Sequence, residues 1–273
     1  MTAHSPVTVP DGALPAPGAF DSHSHMDMMG LPLDGVLSAA RAMGIGRVVN
    51  VGCDLPSSRW SVSRAAEYED VYAAVAVHPN ETAALDSQRV AVLAELEALA
   101  TAPKVVAIGE TGLDYYWHDS PPRVQREWFL EHIAIAKRTG KALMIHNRDA
   151  HEDVLAVLAE TGPWPPYSVV FHCFSGDAGL AARCAEAGYV MSFAGNVTFK
   201  KAEPLRAAAE VAPPELILAE TDAPYLTPVP HRGKPNSPAM TAHTIRALAA
   251  VKGMDVADLC EHIRATGARL FGW

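Results

Sequence analysis

The 273-residue chain is predicted to form a (β/α)8 barrel, an α/β fold. Three observations predict it. Eight short runs rich in apolar and β-branched residues recur between residues 18 and 222. Helical patterns separate them, several ending at a glycine, as at Gly44, Gly140, Gly162 and Gly188. No Gly-x-Gly-x-x-Gly follows the first run, as an open doubly wound dinucleotide-binding sheet would require.

In order, the strand runs are GAFDSHSH (18–25), RVVNVGC (47–53), VYAAVAVHP (71–79), VVAIGETG (105–112), ALMIHNR (142–148), SVVFHCF (168–174), YVMSFAG (189–195) and ELILAETD (215–222). The clearest helical patterns between them are LDGVLSAARAMG, SQRVAVLAELEALA, RVQREWFLEHIAIAKRTG and HEDVLAVLAETG. Two more helices close the chain, around 238–252 and 255–269. Residues 1–17, with four prolines among small residues, read as a flexible leader, and residues 18–273 as one domain.

Composition narrows the function. No apolar run reaches the roughly 18 residues of a membrane span. The leader lacks the basic and apolar regions of a secretory signal, so a cytoplasmic location without a membrane or obligate protein partner is expected. Four scattered cysteines contain no CxxC pair, which excludes a zinc knuckle or thioredoxin motif. The net charge of −9 argues against coating nucleic acid with a broad basic surface, although a small phosphate site remains compatible with it.

In a (β/α)8 barrel, chemistry sits at the carboxyl ends of the strands. His23 and His25 end the first run, His78 the third, Glu110 the fourth, His146 the fifth, His172 the sixth and Asp222 the eighth. The second and seventh end in VGCD and FAGN. Residues i and i+2 of a strand share a face, so His23 and His25 should stand side by side. Imidazoles with carboxylates favour zinc, manganese, iron or cobalt, while all-oxygen sites favour magnesium or calcium. The ligand types suit two divalent ions, with Glu110 bridging. Strand order puts His23, His25 and Asp222 on one ion and His146 and His172 on the other. Cys173 alternates with His172 and is expected to point away from the lumen.

Taken in order, FDSHSHMD, VHPN, IGETGLDYY, MIHNRDA, FHCFSG, ETDAPYL and RGKPNSP resemble the signature segments of the TatD family, metal-dependent deoxyribonucleases of the amidohydrolase superfamily. The resemblance runs from about residue 18 to ATGARLFGW. It implies a somewhat distorted, amidohydrolase-like TIM barrel with two metals. It also implies hydrolysis of DNA phosphodiesters, with 3′-to-5′ exonuclease activity. His23, His25, Glu110, His146, His172 and Asp222 fall on the family's metal-ligand positions. Asn80 departs from it, since many members carry histidine there.

With that chemistry, Asp222 and Glu110 are the candidate catalytic carboxylates, Asp222 both binding metal and taking a proton from water. His78, Arg148, Lys234 and Glu220 are candidate substrate contacts; Glu220 is alternatively placed to orient a histidine. The ligand set alone does not separate a nuclease from a metallohydrolase of another ester or amide, such as an aminoacyl-tRNA linkage. A non-catalytic metal protein fits less well, because a structural zinc site closes with four ligands.

Overall fold

The computed structural model describes residues 12–273. Its strands are β1 (Ala19–Ser24), β2 (Ile45–Val51), β3 (Val71–Val75), β4 (Val105–Asp114), β5 (Ala142–Arg148), β6 (Val169–Phe171), β7 (Val190–Phe193) and β8 (Ile217–Ala219). They pair in chain order, all parallel. A parallel bridge from Ser24 to Ala223 joins the last strand's extension to the first. Burial is nearly complete along the strands, as with all ten residues of β4, which is why they read as continuous apolar runs rather than alternating ones.

Helices α1 (Leu33–Ala42), α2 (Leu55–Glu67), α3 (Thr82–Leu85), α4 (Arg89–Ala100), α5 (Pro122–Thr139), α6 (His151–Thr161), α7 (Ala178–Glu186) and α8 (Glu203–Val211) fall between strands. Helices α9 (Thr241–Lys252) and α10 (Val256–Phe271) follow the last strand. Local chemistry sets their ends. Asp54 and Ser57 make a reciprocal capping box that starts α2, and Gly140 ends α5 in the left-handed conformation (φ 67°). Among the described residues, no helix is long and apolar enough to cross a membrane.

Residues 1–11 of the expected leader lie outside the described residues, and residues 12–17 are exposed except at Leu14. Leu14 is buried, its N–H donates to the Met43 carbonyl at 3.0 Å, and Arg246 Nη2 donates to the carbonyls of Gly12 and Ala13 at 2.6 Å each.

Helix α10 covers the amino end of the barrel. Phe20 packs edge-on against Phe271 and Trp273, and a Cβ built on Gly267 would lie 2.3 Å from Phe20 Cζ. Glycine therefore lets this helix touch β1. In helix propensity Gly267→Ala gains about 1 kcal/mol. Pushing a methyl into the confined Phe20 ring costs about 1–3 kcal/mol. The expected net result is a lower denaturation midpoint in urea. A midpoint at or above the parent's would show that Phe20 yields freely.

Candidate metal centre

The carboxyl ends of the strands bring the expected ligand residues together. His23 lies in β1 and His25 just past it; Glu110 is in β4, His146 in β5, His172 one residue past β6, and Asp222 three past β8. Asp222 is tied to β1 through its N–H, which donates to the His23 carbonyl at 3.0 Å, and His25 N–H donates to the Ala223 carbonyl at 2.8 Å.

The two oxygens of Glu110 face different partners. Oε1 is 3.6 Å from His23 Nε2 and 3.3 Å from His25 Nε2. Oε2 is 3.2 Å from His146 Nδ1 and 2.8 Å from His172 Nε2. On the first side, His23 Nε2 and His25 Nε2 are 3.1 Å apart, and Asp222 Oδ1 is 3.9 and 3.6 Å from them. On the second, His146 Nδ1 and His172 Nε2 are 3.3 Å apart. Donor atoms around a tetrahedral ion with bonds near 2.0–2.1 Å are separated by ~3.3 Å. The spacing on both sides fits such an ion.

The partners behind the imidazoles leave the inward nitrogens free to act as ligands. His25 Nδ1 donates to the Val51 carbonyl at 2.9 Å, His146 Nε2 to Asp114 Oδ2 at 2.9 Å, and His172 Nδ1 to Glu220 Oε1 at 3.3 Å. Without an ion, burial of these three rings is outweighed by the neighbouring carboxylates and, at His25, by the Cys53 sulfur, which raise the pKa of all three, His172 to about 10. Neutral rings, as metal ligation requires, would carry the lone pair on the nitrogen facing Glu110 or Asp222. Burial, reinforced by the His172 imidazole stacked on it, pushes the pKa of His23 down and favours its neutral form. Burial opposes ionisation of Glu110, but the imidazoles of His172 and His78 outweigh it and hold the carboxyl well below the usual carboxylate range.

The remaining expected residues divide. His78 joins the cluster: its Nε2 is 3.3 Å from His146 Nδ1 and 3.8 Å from Glu110 Oε2. Its Nδ1 accepts the Asn80 N–H at 3.1 Å, so the neutral ring presents Nε2–H inward. Burial first, and His146 second, push its pKa down to about 3. Arg148 stands on the rim, its guanidinium 3.8 Å from the Tyr116 ring centre and 5.7 Å from that of Trp117. Lys234 is exposed in the loop after β8, where its N–H donates to the His231 carbonyl at 3.0 Å.

Glu220 is not placed to touch a substrate. It is fully buried behind the site, accepting from His172 Nδ1 and, at 2.8 Å, from Cys173 N–H. Strand alternation had put it on the face of Asp222, but β8 ends at Ala219 and Asp222 is left-handed (φ 51°), so alternation no longer holds. Cys173 is corrected for the same reason. It lies past β6 at φ 42°, where alternation no longer holds, and burial, with the carboxylates of Asp222, Glu220 and Glu110 adding to it, raises its thiol pKa well above the ordinary value.

Three contributors were missed from the sequence. Asp114, besides holding His146, accepts the N–H groups of Tyr116 and Trp117 at 2.9 and 3.0 Å, which fixes the aromatic turn under Arg148. Its spacing of i+4 from Glu110 on one strand was the available signal. Cys53, in the VGCD end of the second run, has its Sγ 3.4 Å from Glu110 Oε1. Asp21, the first aspartate of FDSHSH, accepts from Thr221 N and Oγ1 at 2.9 and 2.6 Å and so ties β1 to the Asp222 turn. Burial raises its pKa to about 8 against those bonds.

Comparison with known proteins agrees with the architecture. Residues 20–272 match the family model described as TatD related DNase. The chain is 49% identical over 239 residues to the uncharacterized metal-dependent hydrolase TatD of Mycobacterium tuberculosis, covering 84% of this chain and 88% of that protein. It is 37% identical over 254 residues to the uncharacterized metal-dependent hydrolase YabD of Bacillus subtilis, covering 92% and 98%. Among solved structures, the TatD homologue YjjV of Escherichia coli superposes with a TM-score of 0.86 at 26% identity, over 93% of this chain and 98% of that one. An organophosphorus hydrolase shares the fold alone, with a TM-score of 0.64 at 13% identity over 93% of each chain. With nearly its whole length matched and its barrel superposed on a TatD homologue, this chain belongs to the TatD family.

Proposed function

We propose that this protein is a metal-dependent deoxyribonuclease that holds two divalent ions and hydrolyses DNA phosphodiesters from the 3′ end. The observation that carries the reading is the division of Glu110, whose Oε1 faces His23 and His25 while Oε2 faces His146 and His172. Asp222 would complete the first set and His78 stands beside the second. The matched family model bears the description DNase, which supports DNA as the substrate. The four cysteines are free, which suits a reducing cytoplasm.

Two ions held there would supply Lewis acidity, lowering the pKa of a water, polarising the phosphoryl oxygen and stabilising the leaving oxygen. The protein's own groups do the rest. Burial of Asp222 is outweighed by the imidazoles around it, His25 foremost, which hold its carboxyl below the usual carboxylate range, so that it is ionised and ready to accept a proton from the attacking water. His78 Nε2–H is placed to donate toward a phosphate oxygen. Arg148, braced on Tyr116, offers a planar donor to a neighbouring phosphate.

The direct test incubates metal-reconstituted protein with end-labelled single-stranded DNA, the matching RNA and an aminoacyl ester. DNA shortened stepwise from its 3′ end is the expected result. Cleavage of the ester alone would replace the nuclease reading with that of a carbonyl hydrolase. Arg148→Ala should raise KM for DNA by about 3–10-fold with kcat within about twofold, because a remote phosphate contact acts equally in ground and transition states. A fall in kcat with KM unchanged would instead place Arg148 at the reacting phosphate.

A further inference from the structure

A groove of about 780 Å³ opens beside the metal centre, of a size that takes a small organic group. Its walls come from segments that follow β5, β6 and β7, so it shares the carboxyl-end rim with the metal cluster. Ser175, on its lining, is three residues past His172, and at 3.8 Å per residue their Cα atoms lie within about 11 Å.

The lining is mixed in a specific way. Leu180, Phe199 and Leu205 make an apolar floor. The acidic groups are already engaged: Glu152 receives both Arg183 amino nitrogens at 2.5 and 3.0 Å, and Asp177 caps α7 by accepting the Leu180 N–H at 2.9 Å. Lys201 is exposed on the groove and, among the described residues, makes no ion pair. A second cation stands at its edge, since Arg232 of the RGKPN segment lies 4.3 Å over the Phe199 ring. Asn196 Oδ1 and His151 Nδ1 are buried there without a hydrogen-bond partner. A buried orphan acceptor is costly until a donor reaches it.

We infer that this groove binds a nucleotide unit of the DNA strand next to the one being cleaved, an inference that rests on the nuclease reading above. The base would lie on Leu180, Phe199 and Leu205, with an amino or imino N–H reaching Asn196 Oδ1. The phosphate would meet Lys201 and Arg232. A free inorganic anion would leave the apolar floor uncovered, and an apolar ligand would leave both cations and the orphan acceptor unanswered. A nucleotide answers all three.

The test compares bis(p-nitrophenyl) phosphate, too short to reach from the metal centre across the groove, with single-stranded DNA of two to eight nucleotides. It uses the metal-loaded full chain and the variants Lys201→Ala and Lys201→Glu, whose exposed site leaves the fold intact, as a melting curve checks. Wild-type kcat/KM should rise with strand length. Lys201→Ala should raise KM for the longer strands by about 3–5-fold, the scale of one exposed charge contact, and Lys201→Glu by more. The salt slope of log KM should fall by about 0.7 for one lost phosphate contact on a single strand. Hydrolysis of the small diester should not change. Variants that match wild type on every strand length and salt slope would overturn the groove while leaving the nuclease reading in place. A wild-type protein that cleaves no DNA strand would overturn both.

Discussion

Glu110→Gln is expected to lower turnover by at least about 10²–10³-fold, the cost typical of losing one strong electrostatic stabiliser. The geometry makes the substitution a strict test. Glu110 presents one oxygen to His23 and His25 and the other to His146 and His172. A glutamine amide has one oxygen and one NH2, so whichever way it turns, an N–H2 group meets one of the two imidazole sets. Those inward nitrogens carry lone pairs only if their outer partners keep the other ring nitrogen protonated, as Val51 O, Asp114 and Glu220 do. The amide would then satisfy one set by hydrogen bonding and displace the ion it was meant to hold. The lost negative charge would also leave a bound pair of cations with less to offset their repulsion. Metal content should fall below two per chain, while the barrel, whose packed interior lies beneath the site, stays folded. Metal analysis and kinetics on one preparation read both effects. Two retained ions with near-normal turnover would show that Glu110 is an ordinary strand-end carboxylate.

Dialysis against a strong chelator should abolish turnover, and zinc, manganese, iron, cobalt or magnesium should restore it to differing degrees. The donor set is mixed imidazole and carboxylate, so the nitrogen-rich sites should favour the transition metals over magnesium. Stability supplies a second readout independent of catalysis. A ligand present at a thousand times its Kd stabilises the folded state by about 4 kcal/mol. The chelated protein should therefore melt at a lower temperature and regain its melting point on reloading. Full turnover after exhaustive chelation would sink the metal-dependent reading. A melting point indifferent to metal would show that ions bind too weakly at this site to matter.

The barrel and the gathering of its candidate ligands at one end were legible because both are encoded locally. Apolar runs mark strands whatever lies far along the chain, and a (β/α)8 barrel puts every strand's carboxyl end on one face. A histidine or carboxylate ending such a run therefore declares its place before the partners are known, and Glu110, in the middle of the strand order, faces both histidine sets. The anchoring of the leader's described end, through Arg246 on the carbonyls of Gly12 and Ala13, is a tertiary contact that no local pattern announces.

What the sequence by itself determined was which residue types reach the site: His23, His25, Glu110, His146, His172 and Asp222. What only the tertiary structure decided was how they are held and which neighbours share their cavity. Glu220 went behind His172, and Cys173 left the strand's alternation, because both lie past short strands, where left-handed residues at 173 and 222 end the period-2 pattern. Asp114 and Cys53 meet the cluster only across strands, at His146 and at Glu110. The physical reason is one of range. Side-chain direction within a strand follows from steric rules spanning two residues. Past its end, direction depends on φ and ψ values set by packing against chain more than a hundred residues away, as when Asp21 grips Thr221.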